Sequence, residues 1–292
     1  MMKKTLFAFQ LTGLLLIVTV ASAAGQNSRA ASAASYRARG DQWQARGEYR
    51  RAIEDYTLAL VFQPENAEIY NNRGIALYAI GDYSSAIVEY DRAISIKPQM
   101  SKAFYNRGLA RKAAGDLDGA IADFDRALHF NPSLVEAYNN RGNLRRKKGD
   151  LEGAIRDFDV AIELNPRLAE AYNNRGVAKL AAEEIENATE DFNRAIKLNP
   201  DHAASYLNRG IARKRRGDST GAMADFDRAI ALSPDLLEAY YHRGILLMTQ
   251  GRVAEAQQDF ERCLKLNPGV KELIEQRVEE INAGRVNAKL AK

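Results

Sequence analysis

The chain contains one cysteine, one tryptophan and three histidines in 292 residues. A lone Cys263 excludes an intramolecular disulfide, so the fold relies on packing alone. His129, His202 and His242 show no metal-ligand spacing. G-x-S-x-G, a phosphate-cradling glycine loop and H-E-x-x-H are all missing. Hydrolase, nucleotide-binding and zinc-peptidase chemistry therefore find no foothold, and no enzyme activity and no cofactor are expected. The formal charge of +4 is too small to argue for nucleic acid. Prolines number only seven, and where they fall organises the rest of the chain.

The first residues form a separate segment. Lys3 and Lys4 precede an apolar stretch, 6–20, broken by Gln10 and Thr12, and Ala21-Ser22-Ala23 follows. Fifteen residues fall short of the roughly 20 of a spanning helix. A basic start, a short apolar run and a small-x-small site predict a signal peptide over 1–23, cleaved after Ala23 or Ala24. Cleavage leaves no stable membrane span and, by loss of Lys3 and Lys4, lowers the formal charge from +4 to +2. No cysteine lies near the site, which argues against a lipoprotein. The expected location is the periplasm of a Gram-negative bacterium, or outside the cell. Residues 24–32, small and polar, read as a flexible linker, and 287–292 as a frayed tail.

From residue 33 the chain repeats. Arg-Gly recurs every 34 residues, from Arg39-Gly40 to Arg243-Gly244. With that glycine at position 8, seven units run 33–66, 67–100, 101–134, 135–168, 169–202, 203–236 and 237–270. All seven prolines fall at position 32, where each stops a helix. Position 15 is glycine in six units, suited to the left-handed residue that closes a first helix. Unit 5 has Glu183 there, and an irregular turn is expected. Acids such as Asp82, Asp116, Asp150 and Asp218 follow the glycine and can cap a second helix. Alanine at 20, a ring at 24 and a small residue at 27 let the paired helices approach closely, and Cys263, at position 27, reads as core.

These features resemble the tetratricopeptide repeat, over residues 33–270. The resemblance implies an all-α, right-handed superhelical solenoid of seven helix-turn-helix units, with 271–286 as a capping helix. The chain departs from the family in its charges. Position 7 is arginine in every unit, where the family usually has leucine, and position 11 is Arg111, Arg145, Lys179 or Arg213 in the middle units. Position 23 is acidic in all seven. An unpaired charge on a packing face is costly, so the position-7 arginines are expected to pair with those acids. The other reading makes them a row of ligand-binding arginines.

Helical spacing sets positions 2, 5, 6, 9 and 13 of each first helix on one face, which by resemblance lines a concave groove. Position 6 is Asn72, Asn106, Asn140, Asn174 and Asn208 in five consecutive units, and His242 in the seventh. An amide both donates and accepts, so an exposed ladder of them suits the backbone of an extended peptide. Tolerance of asparagine on an exposed face is the plainer alternative. Asn143, Lys147 and Arg215 add polar and basic groups to the same face, although cations at helix C-termini are favoured in any case. They resemble the family's carboxylate clamp without completing it, since Asn139 and Ile211 stand where cations belong. The resulting expectation is a scaffold or adaptor binding a peptide segment of a protein partner, acidic in part. The alternative is an accessory subunit or holdase of an envelope complex, docking outside the groove.

Overall fold

The computed structural model describes residues 29–290, with side chains to 283. The expected signal segment lies outside the described residues. The helices are α1 (29–45), α2 (Tyr49–Phe62), α3 (Ala67–Ala79), α4 (Tyr83–Ile96), α5 (Ser101–Ala113), α6 (Leu117–Phe130), α7 (Val135–Lys147) and α8 (Leu151–Leu164). They continue as α9 (Ala169–Ala181), α10 (Ile185–Leu198), α11 (Ala203–Arg215), α12 (Ser219–Leu232), α13 (Leu237–Gln250), α14 (Val253–Leu266) and α15 (Lys271–Leu290). No strand occurs among the described residues. Each 34-residue unit is one helix pair. A second helix packs on its own first helix and on the next one, as α4 does on α3 and α5, and α10 on α9 and α11. That is the consecutive helix-pair packing of a tetratricopeptide solenoid. The chain forms two compact units, one ending at Ala137 and one beginning at Tyr138.

Two expected boundaries move. The linker expected over 24–32 is helical from residue 29, because alanines at 30, 31, 33 and 34 extend α1 backwards. The cap expected over 271–286 continues to Leu290, taking in most of the supposed tail. Ile274 of α15 is buried with Ile245, Leu247, Met248, Phe260 and Cys263, which closes the last pair. The Cys263 thiol donates to the Leu237 carbonyl at 3.6 Å, and burial, with Asp259 adding to it, pushes its pKa up to about 11. It is a core residue and a poor nucleophile.

Inside each pair the ring at position 24 lies against the glycine at position 8. A Cβ on Gly74 or Gly176 would come within 2.6 Å of Tyr90 or Phe192, so only hydrogen fits. The acids at position 16 cap as expected. Asp82, Asp116, Asp150 and Asp218 each accept from the backbone N–H three residues on.

The seven arginine–acid pairs all form, each with two hydrogen bonds from the guanidinium. Arg175 Nε and Arg209 Nε lie 2.9 Å from Asp191 and Asp225. In the middle units the residue at position 11 adds a further cation. Arg111 reaches Asp123 and Arg213 reaches Asp225, both at 2.8 Å, and Lys179 reaches Asp191 at 2.9 Å. The arginine also ties repeats together: Arg175 bonds Asp159, and Arg243 bonds Asp227, on the preceding second helix. Its flat face lies over the ring at position 4, as Arg209 does on Tyr206 at 5.5 Å. The charged departures from the usual repeat are thus a structural system. The arginines are not a row of free ligand groups.

Glu183 carries the one non-glycine positive φ among the described residues, 62°. The turn is not irregular: it adopts the left-handed geometry that glycine takes elsewhere, and Glu184 N–H still closes onto Lys179 O at 2.9 Å. The strain falls on one residue. A left-handed non-glycine costs about 1–2 kcal/mol. The pair that Glu183 makes with Arg215 is exposed and offsets under about 1 kcal/mol of that. Glu183→Gly is expected to raise stability by about 1 kcal/mol, and Glu183→Ala to lower it slightly. Thermal melts of the two variants check this; a Glu183→Gly melt at or below wild type would remove the strain.

Candidate functional site

The face expected to bind is made by the first helices, and its amides are already engaged. Asn106 Nδ2 donates to Asn71 Oδ1 at 2.9 Å. In the second unit Asn174 donates to Asn139 at 3.1 Å and Asn208 to Asn173 at 3.0 Å. Position 6 of one repeat therefore binds position 5 of the repeat before it. Asn72, whose repeat-1 counterpart at position 5 is Arg37, donates instead to Asp41 at 3.1 Å. Asn140 has a partner as well. These residues are half-buried, and Asn71, Asn139 and Asn173 beneath them are buried. The expectation of a row of exposed amides is corrected: they cross-link neighbouring helices, because burial at the seam requires each amide to find a partner.

The signal for this was present in the doubled asparagines of 71–72, 139–140 and 173–174. Position 5 was the missed partner. The ladder stops at the last repeat, where position 5 of repeat 6 is Leu207, which has no acceptor to offer His242. His242 Nδ1 is buried without a hydrogen bond. Its ring stacks on Phe226 at 6.0 Å and meets Tyr241 edge-on at 5.3 Å. Burial, then the charge of Lys214, lowers its pKa to about 4, so it is neutral at pH 7.

The remaining expected residues separate. Asn143 is half-buried and its side chain makes no hydrogen bond among the described residues, while Lys147, one turn on, is exposed. Arg215 is not a free groove cation. It bonds Glu183 Oε1 at 3.1 Å and Leu180 O at 3.2 Å, drawn by a carboxylate and by the C-terminal carbonyls of α9. Arg146, beside Lys147, has a buried Nε with no partner. Those two atoms, Arg146 Nε and His242 Nδ1, are the unsatisfied buried side-chain polar atoms of the described residues, and both lie on first helices of the second unit. No cluster of His, Cys, Asp and Glu among the described residues is placed to hold a metal ion. No described helix is long and apolar enough to cross a membrane.

Comparison with known families places these units. A TPR repeat model matches residues 40–81, 76–115 and 142–182, and a tetratricopeptide repeat model matches 101–134, 169–202 and 237–270. The chain belongs to the tetratricopeptide-repeat family. A tetratricopeptide repeat protein from Parabacteroides merdae is similar at 22% identity and TM-score 0.67, covering 86% of this chain and 98% of that one. The structure of MamA matches at 27% identity and TM-score 0.50, over 56% of this chain and 96% of its own. YrrB, described as a TPR protein with an unusual peptide-binding site, matches at 22% identity and TM-score 0.57, over 64% of this chain and 97% of its own. No curated protein matches the sequence. The tetratricopeptide fold is that of a protein–protein interaction scaffold.

Proposed function

We propose that the chain holds a peptide segment of a protein partner along the first helices of its second unit, in the groove that the tetratricopeptide family uses. The observation that carries this reading is where polar groups are left wanting. The position-7, 11 and 23 charges and the position-5 and 6 amides satisfy one another, whereas Arg146 Nε and His242 Nδ1 are buried and unpaired. A buried polar atom without a partner is rare and calls for an explanation, and a bound segment supplies one. Asn143 and Lys147 stand beside Arg146 and are not used by the fold. Lys147, Lys148 and Lys214 favour a segment that is acidic in part. YrrB offers a precedent for peptide binding on a similar fold.

The reading includes export: Lys3, Lys4, the apolar stretch 6–20 and Ala21-Ser22-Ala23 support a cleaved signal and a periplasmic place of work. A secreted chain beginning at Ala24 or Gly25 by mass spectrometry is expected, and an intact Met1 on exported protein would refute it. For binding, Asn143→Arg combined with Lys147→Glu is expected to abolish partner capture from envelope extract while leaving the circular dichroism melt unchanged, since neither side chain supports the fold. Capture at wild-type level by this variant, with loss in Leu164→Arg on second helix α8, would move the binding surface to the second helices.

A further inference from the structure

At the end of the array a cavity of about 370 Å³ lies between α11, α13 and α15, lined by Lys214, Tyr241, His242, Ile245, Arg277 and Glu280, with Leu273 and Gln276 completing it. Its volume is at the low end for ligand sites, room for a side chain and adjoining backbone. The electrostatics are one-sided. Lys214 is half-buried and makes no ion pair among the described residues. The one carboxylate on the wall, Glu280, is already bonded to Arg277. Burial, then Arg277 and Arg215, lowers the pKa of Lys214, the mark of a cation crowded by other cations without a counter-ion. Beside it His242 Nδ1 is buried and unpaired, because the amide ladder ends at Leu207. Ile245 is buried and Leu273 half exposed at 53%, an apolar wall suited to methylene groups.

We infer that this cavity takes the carboxylate of an acidic side chain, Lys214 supplying the charge and His242 Nδ1 a hydrogen bond. A neutral imidazole protonated on Nδ1 donates there and satisfies the one buried side-chain polar atom of α13 that has no partner among the described residues. A side-chain source is favoured because Glu280, itself a side-chain carboxylate, already reaches the wall of the cavity. The site differs from a clamp on a chain terminus in using position 12 of repeat 6, position 6 of repeat 7 and the capping helix. It rests on the reading that a peptide lies along the first helices, and it names the chemistry of one contact.

The probe is N-acetyl hexaglutamate amide, added to the full mature chain and followed by the ¹H–¹³C imidazole signal of His242 and by calorimetry. The peptide is expected to move the His242 signal, and N-acetyl hexaglutamine amide is expected not to. Lys214→Gln should weaken hexaglutamate binding roughly tenfold, the scale of one charge-assisted contact, while Lys214→Arg restores most of it and Lys197→Gln, exposed on second helix α10, leaves the His242 shift in place. A His242 signal that hexaglutamate leaves unmoved overturns the proposal. So does unchanged affinity in Lys214→Gln, or a response only to hexaglutamine with a free C-terminal carboxylate. Partner capture that still depends on Asn143 and Lys147 would in those cases leave the groove reading standing, which keeps the two failures apart.

Discussion

Asp225→Ala is expected to destabilise the chain by about 3–5 kcal/mol, the cost of leaving buried cations without their counter-ion. Asp225 is 3% exposed and accepts from Arg209 Nε at 2.9 Å, from Arg209 Nη2 at 2.6 Å and from Arg213 Nη1 at 2.8 Å. Once it is removed, Arg209 retains the neutral amide of Asn193 and the face of Tyr206, and Arg213 retains the Gly221 carbonyl and a 3.7 Å approach to exposed Asp218. Neither replaces a buried carboxylate. The matched control is Asp227→Ala. Its carboxylate is about half exposed, and Arg243 keeps both bonds to Asp259 without it, so under about 1 kcal/mol should be lost. Hydrogen bonding to Asp259, against the opposing effect of burial, raises the Arg243 pKa, so this pair persists at any ordinary pH. Urea unfolding followed by circular dichroism measures both variants. Equal midpoints would mean that the buried pairs add nothing beyond surface ion pairs.

The second large effect is expected from the amide ladder. Asn174→Ala together with Asn208→Ala should cost about 2–4 kcal/mol, from roughly 1 kcal/mol for a lost hydrogen bond up to 3 where a buried acceptor is stranded. Asn139 Oδ1 is the stranded one, since Asn174 is its donor. Asn173 Oδ1 retains the Ser205 hydroxyl at 3.2 Å, so its loss is the smaller. Asn143→Ala, which removes no hydrogen bond, should stay within about 0.5 kcal/mol of wild type. Hydrogen exchange at the α7–α9 and α9–α11 seams separates this from a general loss. The double variant should open faster there than in α13 and α14. Wild-type stability in the double variant would return the amides to a free, exposed role.

How much of this was legible follows from distance along the chain. The arginine–acid pairs lie 16 residues apart inside one repeat, so a single unit already states both partners. The left-handed turn could be read from glycine at position 15, and Glu183 stood out as its one exception. The ladder spans 35 residues, from position 6 back to position 5 of the previous repeat, and depends on the register between neighbouring first helices. A face count of one helix places both residues on the same side without saying that they meet. Arg215 was misjudged for the same reason: its partner Glu183 belongs to the preceding repeat. The cavity under α15 was invisible because no periodicity extends into the cap, so Arg277 and Glu280 had no position in the repeat to be compared with.

Where a bound partner touches the chain is measured directly by placing a photo-crosslinking residue at Asn143 and Lys147 on α7, and in parallel at Leu164 on α8 and Val253 on α14. All four sites are half-buried or exposed and make little contribution to packing. Crosslinks to the same partner from Asn143 and Lys147, and none from Leu164 or Val253, are the result expected of a segment held along the first helices. Crosslinks from Leu164 or Val253 with none from Asn143 and Lys147 would contradict it.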